Sequence, residues 1–423
     1  MKNIVVVPFA SKLHGEQYYM RVLDTIRSNI DKTGIRVEYS SVVTSEEEAK
    51  DLAGKYADYL PVFVALTGGT SKLMHSFALA ANYNRVIVLA HGEHNSLPSA
   101  VSARSKLDME GVWTWLFHCG EVESTECFLR VQQMISVAKA VASLLGSRVL
   151  LVGPYTEKPE LAEDFESRFE SRVDVLSLEE FESELERARK DYVEHFVSVF
   201  SETEPSIPAE KLAEIGKVYA VLRSLAETRG YEGIAMDCFP YLIKHRLTPC
   251  LALALLNSEG VVTACEGDLI SLALMLISKA LTGYTGWIAN ASRFEGTRAY
   301  FAHCTVALNM TRKFRITSHF ESGYPYALAG ELAPGVYTAV SMSPDFSVIL
   351  AGTGRLLASG LMYQTMCRTQ LILDLDVNAE KIPLVAVSNH HVLIPGDVRK
   401  ELHAIASLLG LDYAEYKELT GAV

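Results

Sequence analysis

Two carboxylates interrupt an otherwise apolar stretch of the chain, in the run Thr263-Ala264-Cys265-Glu266-Gly267-Asp268. A strand-like apolar segment precedes them and an apolar helical segment follows. Both acids therefore fall at a helix N-terminus, where the macrodipole lowers the cost of their charge. Capping by Asp268 alone accounts for one acid and leaves Glu266 unexplained. Upstream, Asp237-Cys238 and Thr248-Pro249-Cys250 each end a strand-like run, and parallel strands bring such ends together. Asn389-His390-His391 ends another run. Adjacent histidines on a strand point to opposite faces, so one of the pair is expected to serve. A Glu and a His converging from separate domains suit a divalent ion with open positions, Mn²⁺ or a similar metal.

Two further polar clusters follow strand-like segments near the N-terminus. In Leu66-Thr67-Gly68-Gly69-Thr70 the glycines let backbone N–H groups approach an oxygen-rich ligand. The run lacks the Gly-Lys-Ser/Thr of a nucleotide loop and the spacing of a dinucleotide fingerprint. A plain tight turn accounts for it equally well. In His91-Gly92-Glu93-His94-Asn95-Ser96 the His-x-x-His spacing admits a metal, but hydrogen bonding to a substrate or a neighbouring subunit is the preferred reading.

The elements that must position these residues fall into three groups. Over the first ~145 residues strands and helices alternate, with strands at 4–7, 37–40, 62–66 and 86–90 and helices at 17–30, 45–57 and 125–145. Ser45 with Glu48 reads as a capping box. The continuous apolar strands are of the parallel, doubly covered kind, which is doubly wound α/β grammar. The same grammar resumes at 148–153, continues through acidic helices to strand-like runs at 234–236 and 251–256, and ends in an apolar helix at 269–281. After Gly283 β-rich runs dominate, at 314–320, 336–342, 347–350, 370–375 and 384–388, with one amphipathic helix at 398–409. Such spacing predicts an antiparallel sheet or barrel. The expected domains are 1–146, 147–283 with Glu266, and a β-rich, barrel-like 284–423 with the histidine pair.

Composition removes whole classes of function. The 423 residues carry a net charge of −12, which disfavours a phosphate-backbone binder. Residues 157–194 hold −8 of that charge and read as solvated helix. Seven cysteines without a Cys-x-x-Cys argue against a disulfide scaffold and a zinc ribbon. The opening strand signal, stopped by Pro8, is too brief for a signal-peptide core, and no apolar run reaches the ~18 residues of a membrane span. The expectation is a cytoplasmic protein that engages neither nucleic acid nor membrane.

The order of these motifs resembles the L-fucose isomerase and L-arabinose isomerase superfamily. The resemblance rests on Asp237-Cys238-Phe239-Pro240, Thr248-Pro249-Cys250-Leu251-Ala252, Ala264-Cys265-Glu266-Gly267-Asp268 and Ala302-His303-Cys304-Thr305. Asn389-His390-His391 with Gly396-Asp397 and Arg399, the 335–338 turn and strand, and upstream Thr67–Thr70 and Asn95-Ser96-Leu97-Pro98 complete it. It covers most of the chain and is strongest from 230 to 400. It implies two Rossmann-like domains followed by a β-domain, a homo-oligomer (trimer or hexamer), and Mn²⁺-dependent aldose–ketose conversion of an L-fucose- or L-arabinose-like sugar through an enediol.

The resemblance further implies Glu266 as metal ligand and one arm of an acid–base pair, with a histidine ligand at His390 or His391. It places sugar contacts at Thr67, Gly68, Gly69, Asn95, Asp237 and His303. The family's second acidic ligand falls at Asn290, whose amide can offer a metal its carbonyl oxygen but cannot act as a general base. Asp268 or Asp237 is then expected to supply the missing acid. A sugar-binding protein without the chemistry, or a lyase or epimerase on the same scaffold, are the alternative functions.

Overall fold

The computed structural model describes residues 2–421. It consists of two compact units, one formed by residues up to 145 with 401–411 and the other by 146–400 with the residues from 412 on. In the first unit five parallel strands, β1 (Ile4–Phe9), β2 (Glu38–Tyr39), β3 (Leu60–Ala65), β4 (Arg85–His91) and β5 (Trp113–Cys119), run in the order β2-β1-β3-β4-β5. β1, β3 and β4 are buried along their whole length. Helices on both faces explain why their sequences are continuous apolar runs rather than alternating ones. The Ser45–Glu48 capping box is present at the helix Glu46–Ala53.

The second unit holds a four-stranded parallel sheet and an antiparallel barrel. The sheet uses β6 (Arg148–Gly153), β7 (Arg172–Ser177), β8 (Gly233–Met236) and β9 (Val262–Cys265) in the order β7-β6-β8-β9. The barrel strands are β10 (Trp287–Glu295), β11 (Arg298–His303), β14 (Val336–Met342), β15 (Val348–Ser359), β16 (Thr369–Leu375) and β17 (His390–Pro395). β12 (Thr311–Ser318) and β13 (Pro325–Leu332) form a separate hairpin. The order β14-β17-β10-β11-β16-β15 closes on itself through the β14–β15 pairing, and β18 (Asp412–Glu415) adds in parallel to β15. Closure removes the free edges that an open antiparallel sheet would expose.

Three expectations are corrected. Residues 251–256 form no strand but lie in the buried helix Cys250–Ser258. A short apolar run carries no period that separates the two states, and its Leu and Ala are strong helix formers that begin right after Pro249. The segment 384–388 belongs to a 3₁₀ turn and the loop after it, and the strand starts at His390. Pro383 lacks the N–H that a ladder there would need. The structure also joins Cys119 to Cys127, although cysteine spacing argued against a disulfide framework. The other five cysteines are free thiols. Among the described residues no helix is long and apolar enough to cross a membrane.

Candidate metal centre

β9 delivers the chain to Glu266 and Gly267, both in the left-handed region at φ 61° and 63°. A non-glycine residue there costs on the order of 1 kcal/mol and persists only where its surroundings enforce it. The Gly267 N–H, donating to the Met236 carbonyl at 3.0 Å, ties this turn to β8. Asp268 then caps the helix Leu269–Thr282, accepting from the Ser271 N–H at 2.8 Å and the Ser271 hydroxyl at 2.6 Å.

The capping carboxylate has a second task. Its Oδ2 lies 2.8 Å from Nδ1 of His390, the first residue of β17. A proton on Nδ1 leaves the Nε2 lone pair free. That Nε2 is buried, has no hydrogen-bond partner and stands 3.6 Å from Oε2 of Glu266. From the end of β11, His303 brings its Nε2 to 3.1 Å of Glu266 Oε1. One donor atom from each of Glu266, His303 and His390 falls within 4.8 Å of the others.

An orphaned imidazole nitrogen, oriented by a carboxylate behind it, is the arrangement in which histidine ligates a metal. Two imidazoles and one carboxylate suit a divalent transition ion and leave coordination positions open for oxygen ligands. The residues present therefore fit such an ion. Burial acts to raise the Glu266 carboxyl, but the His303 hydrogen bond and the charges of His303 and His390 outweigh it, and its pKa lies below the ordinary value. Burial likewise opposes ionisation of Asp268, and its bonds to His390 and Ser271 bring it down. His390 is pulled down by burial and up, more strongly in sum, by Asp268 and Glu266. The cluster thus holds anionic oxygens beside imidazoles.

His391 does not join this cluster. Its ring points to the other face of β17, fully buried, with Nε2 2.6 Å from the Tyr416 hydroxyl and its centroid 5.5 Å from Phe301. Burial lowers its pKa to about 4. Asn290 lies directly opposite His390 in the β10–β17 register, hence on the same face, and its Oδ1 accepts from the Asn389 amide at 3.4 Å. Asp237 sits at the end of β8, with the Tyr155 hydroxyl 3.5 Å from its Oδ2.

Thr67, Gly68, Gly69 and Asn95 gather in the first unit, in the loops that follow β3 and β4. Thr67 Oγ1 accepts from the Ser11 N–H at 2.8 Å, and the Gly68 N–H donates to the His94 carbonyl at 2.7 Å. A Cβ on Gly68 would lie 2.8 Å from Asn95 Cβ, so the two loops touch only because residue 68 has no side chain. His91 is buried with Nε2 3.1 Å from the Leu66 carbonyl, and His94 stacks on Tyr18. What sequence reasoning missed is His303 as a donor, read there as a sugar contact. The one available signal was a histidine closing an apolar strand-like run.

No known protein-family profile matches the chain. Over 226 residues, 50% of each chain, it is 25% identical to a sulfoquinovose isomerase of Clostridium sp. (strain MSTE9). Over 222 residues, 49% of each chain, it is 23% identical to sulfoquinovose isomerases of Priestia aryabhattai and of Priestia megaterium. The match spans about half the length of these curated relatives.

Proposed function

We propose that this chain is a metal-dependent sugar isomerase that interconverts an aldose and a ketose through an enediol. The observation that carries the reading is the Glu266–His303–His390 donor set, with His390 Nε2 unpartnered and its Nδ1 held by Asp268. Similarity to proteins named as isomerases of a sugar supports the same class. A divalent ion bound there, Mn²⁺ for preference, supplies polarisation of neighbouring carbonyl and hydroxyl oxygens of the sugar.

The chain's own residues do the rest. Glu266, kept ionised by two imidazoles, removes the proton from the carbon next to the carbonyl and returns it to the adjacent carbon. Asp268 holds the His390 tautomer. The Asn290 amide, on the face of His390, binds a sugar hydroxyl. Thr67, Gly68, Gly69 and Asn95, which the family resemblance implies as sugar contacts, form a loop cluster within the first unit. The protein works as a cytoplasmic homo-oligomer, a trimer or hexamer. Its substrate is an L-fucose- or L-arabinose-like sugar, and sulfoquinovose, named in the relatives, is the alternative.

Asn290, standing where a carboxylate is expected, also favours a second reading in which the site binds a sugar without converting it. One experiment separates the two. The protein is incubated with Mn²⁺ and L-fucose, L-arabinose or sulfoquinovose, and ketose formation is followed with and without EDTA. Metal-dependent ketose formation is expected from at least one sugar. Thermal stabilisation by sugar with no turnover of any of them would establish binding alone.

A further inference from the structure

The acid–base pair of an enediol reaction needs two groups, and the residues around Glu266 leave one place to be filled. Asn290 cannot carry the proton. Asp268 is committed, since its oxygens accept from the Ser271 N–H, the Ser271 hydroxyl and His390 Nδ1. Asp237 remains, and the sheet puts it in the right row. Val152 of β6 pairs in register with Met236 of β8, and Met236 with Cys265 of β9. The next residues are Gly153, Asp237 and Glu266, side by side at the carboxyl edge, on strands about 4.8 Å apart.

Two glycines make the space. A Cβ on Gly153 would lie 2.9 Å from Asp237 Cβ and 2.6 Å from the Tyr155 ring. One on Gly267 would lie 3.3 Å from Asp237 Cβ and 3.0 Å from the Tyr155 hydroxyl. The gap between them is filled by an acid and a phenol whose mutual contact, 3.5 Å, is loose. Asp237 stands at the N-cap of the helix Cys238–His245, with the Phe239 N–H facing its carboxylate.

We infer that Asp237 is the second proton-carrying group of this site, placed by Tyr155 over the two glycines; the assignment rests on the isomerase reading above. In the forward direction Glu266 takes the C2 proton, and the C–H electron pair becomes the C1=C2 bond. The carbonyl π pair moves to O1, which takes the proton of the Asp237 carboxyl, giving the enediol. The Asp237 carboxylate then removes the O2 proton, the O–H pair becomes the C2=O bond, and the C1=C2 pair takes the proton back from Glu266 at C1. Both acids end as they began, and no other reactant is consumed.

Kinetics and Mn²⁺ titration of wild type, D237N, D237E, Y155F and E266Q test this. D237N is expected to lose about 10²–10⁴-fold in kcat, with KM and Mn²⁺ affinity within about threefold of wild type. D237E is expected to recover part of the loss. Y155F should lower kcat by about tenfold and leave KM in place, whereas E266Q should lose both turnover and Mn²⁺ binding. A D237N variant with wild-type kcat overturns the assignment and leaves the isomerase reading standing. A D237N variant that loses Mn²⁺ binding makes Asp237 structural and also overturns it. Wild-type protein that forms no ketose overturns the isomerase reading, and the assignment with it.

Discussion

His390 and His391 are adjacent in the chain and face opposite sides of β17. One ring enters the carboxylate cluster while the other packs beside Phe301 and Tyr416. The pattern of the sequence shows that the two must differ, because strand side chains alternate. Which one faces the acids depends on the β10–β17 register, and that is a long-range property. Glu266 and Asp268 were legible because charge is conspicuous between apolar elements. His303 was legible only through the family resemblance, as a sugar contact, since its role as a donor exists only once β9 and β11 converge. At this scale Asp268 is a pure test of orientation. Asp268→Asn keeps the size and the Ser271 contacts but weakens the hold on His390 Nδ1. Mn²⁺ affinity, read by calorimetry, is expected to fall by about 10–100-fold with all three ligands intact. Unchanged affinity would show that His390 needs no orienting partner.

The turn that carries Glu266 is held by elements on either side of β9. The helix Cys250–Ser258 reads in the sequence as a strand because its apolar run is too short to show a period. Its Asn257 supplies the tie to the sheet, donating to the Leu253 and Thr263 carbonyls and accepting from the Thr263 N–H at 3.0 Å. Asn257→Ala would strand buried partners on β9. A loss of about 2–3 kcal/mol is expected in denaturant melts, and a change below about 0.5 kcal/mol would contradict the role. Around the barrel, the Asp397 carboxylate accepts from Arg399 Nε at 2.9 Å and from the Thr353 hydroxyl at 3.1 Å. The Arg399 bonds, against burial, bring its pKa down to about 2. A depressed carboxylate contributes stability that is present above its ordinary value near 4 and is lost as pH falls toward 2. Because the side chain is 47% exposed, screening keeps the amount below about 1 kcal/mol. Acid titration of D397N should show a correspondingly shallower loss between those pH values.

For the whole molecule, the alternation of strands and helices and the change to β-rich sequence after residue 283 were legible, because both are local patterns of hydrophobicity. The barrel-like character of 284–423 was legible too, but not the β14–β15 pairing that closes it, nor the start of β17, which the sequence places too early. The disulfide and the histidine cluster belong to different units, so two reagents should act separately. Cys127→Ser opens a link between residues eight apart and is expected to cost about 2–3 kcal/mol in the first unit. The same loss should follow reductant added to wild type and be absent from the variant. Mn²⁺ at 100 times its Kd should stabilise the second unit by about 2.7 kcal/mol. The measurement that bears most directly on the account is a calorimetric Mn²⁺ titration of wild type, H390A and H391Q. One ion per chain is expected in wild type, with affinity lowered at least about 100-fold in H390A and unchanged in H391Q. No stoichiometric binding by wild type, or an equal loss in the two variants, would contradict a metal centre at Glu266, His303 and His390.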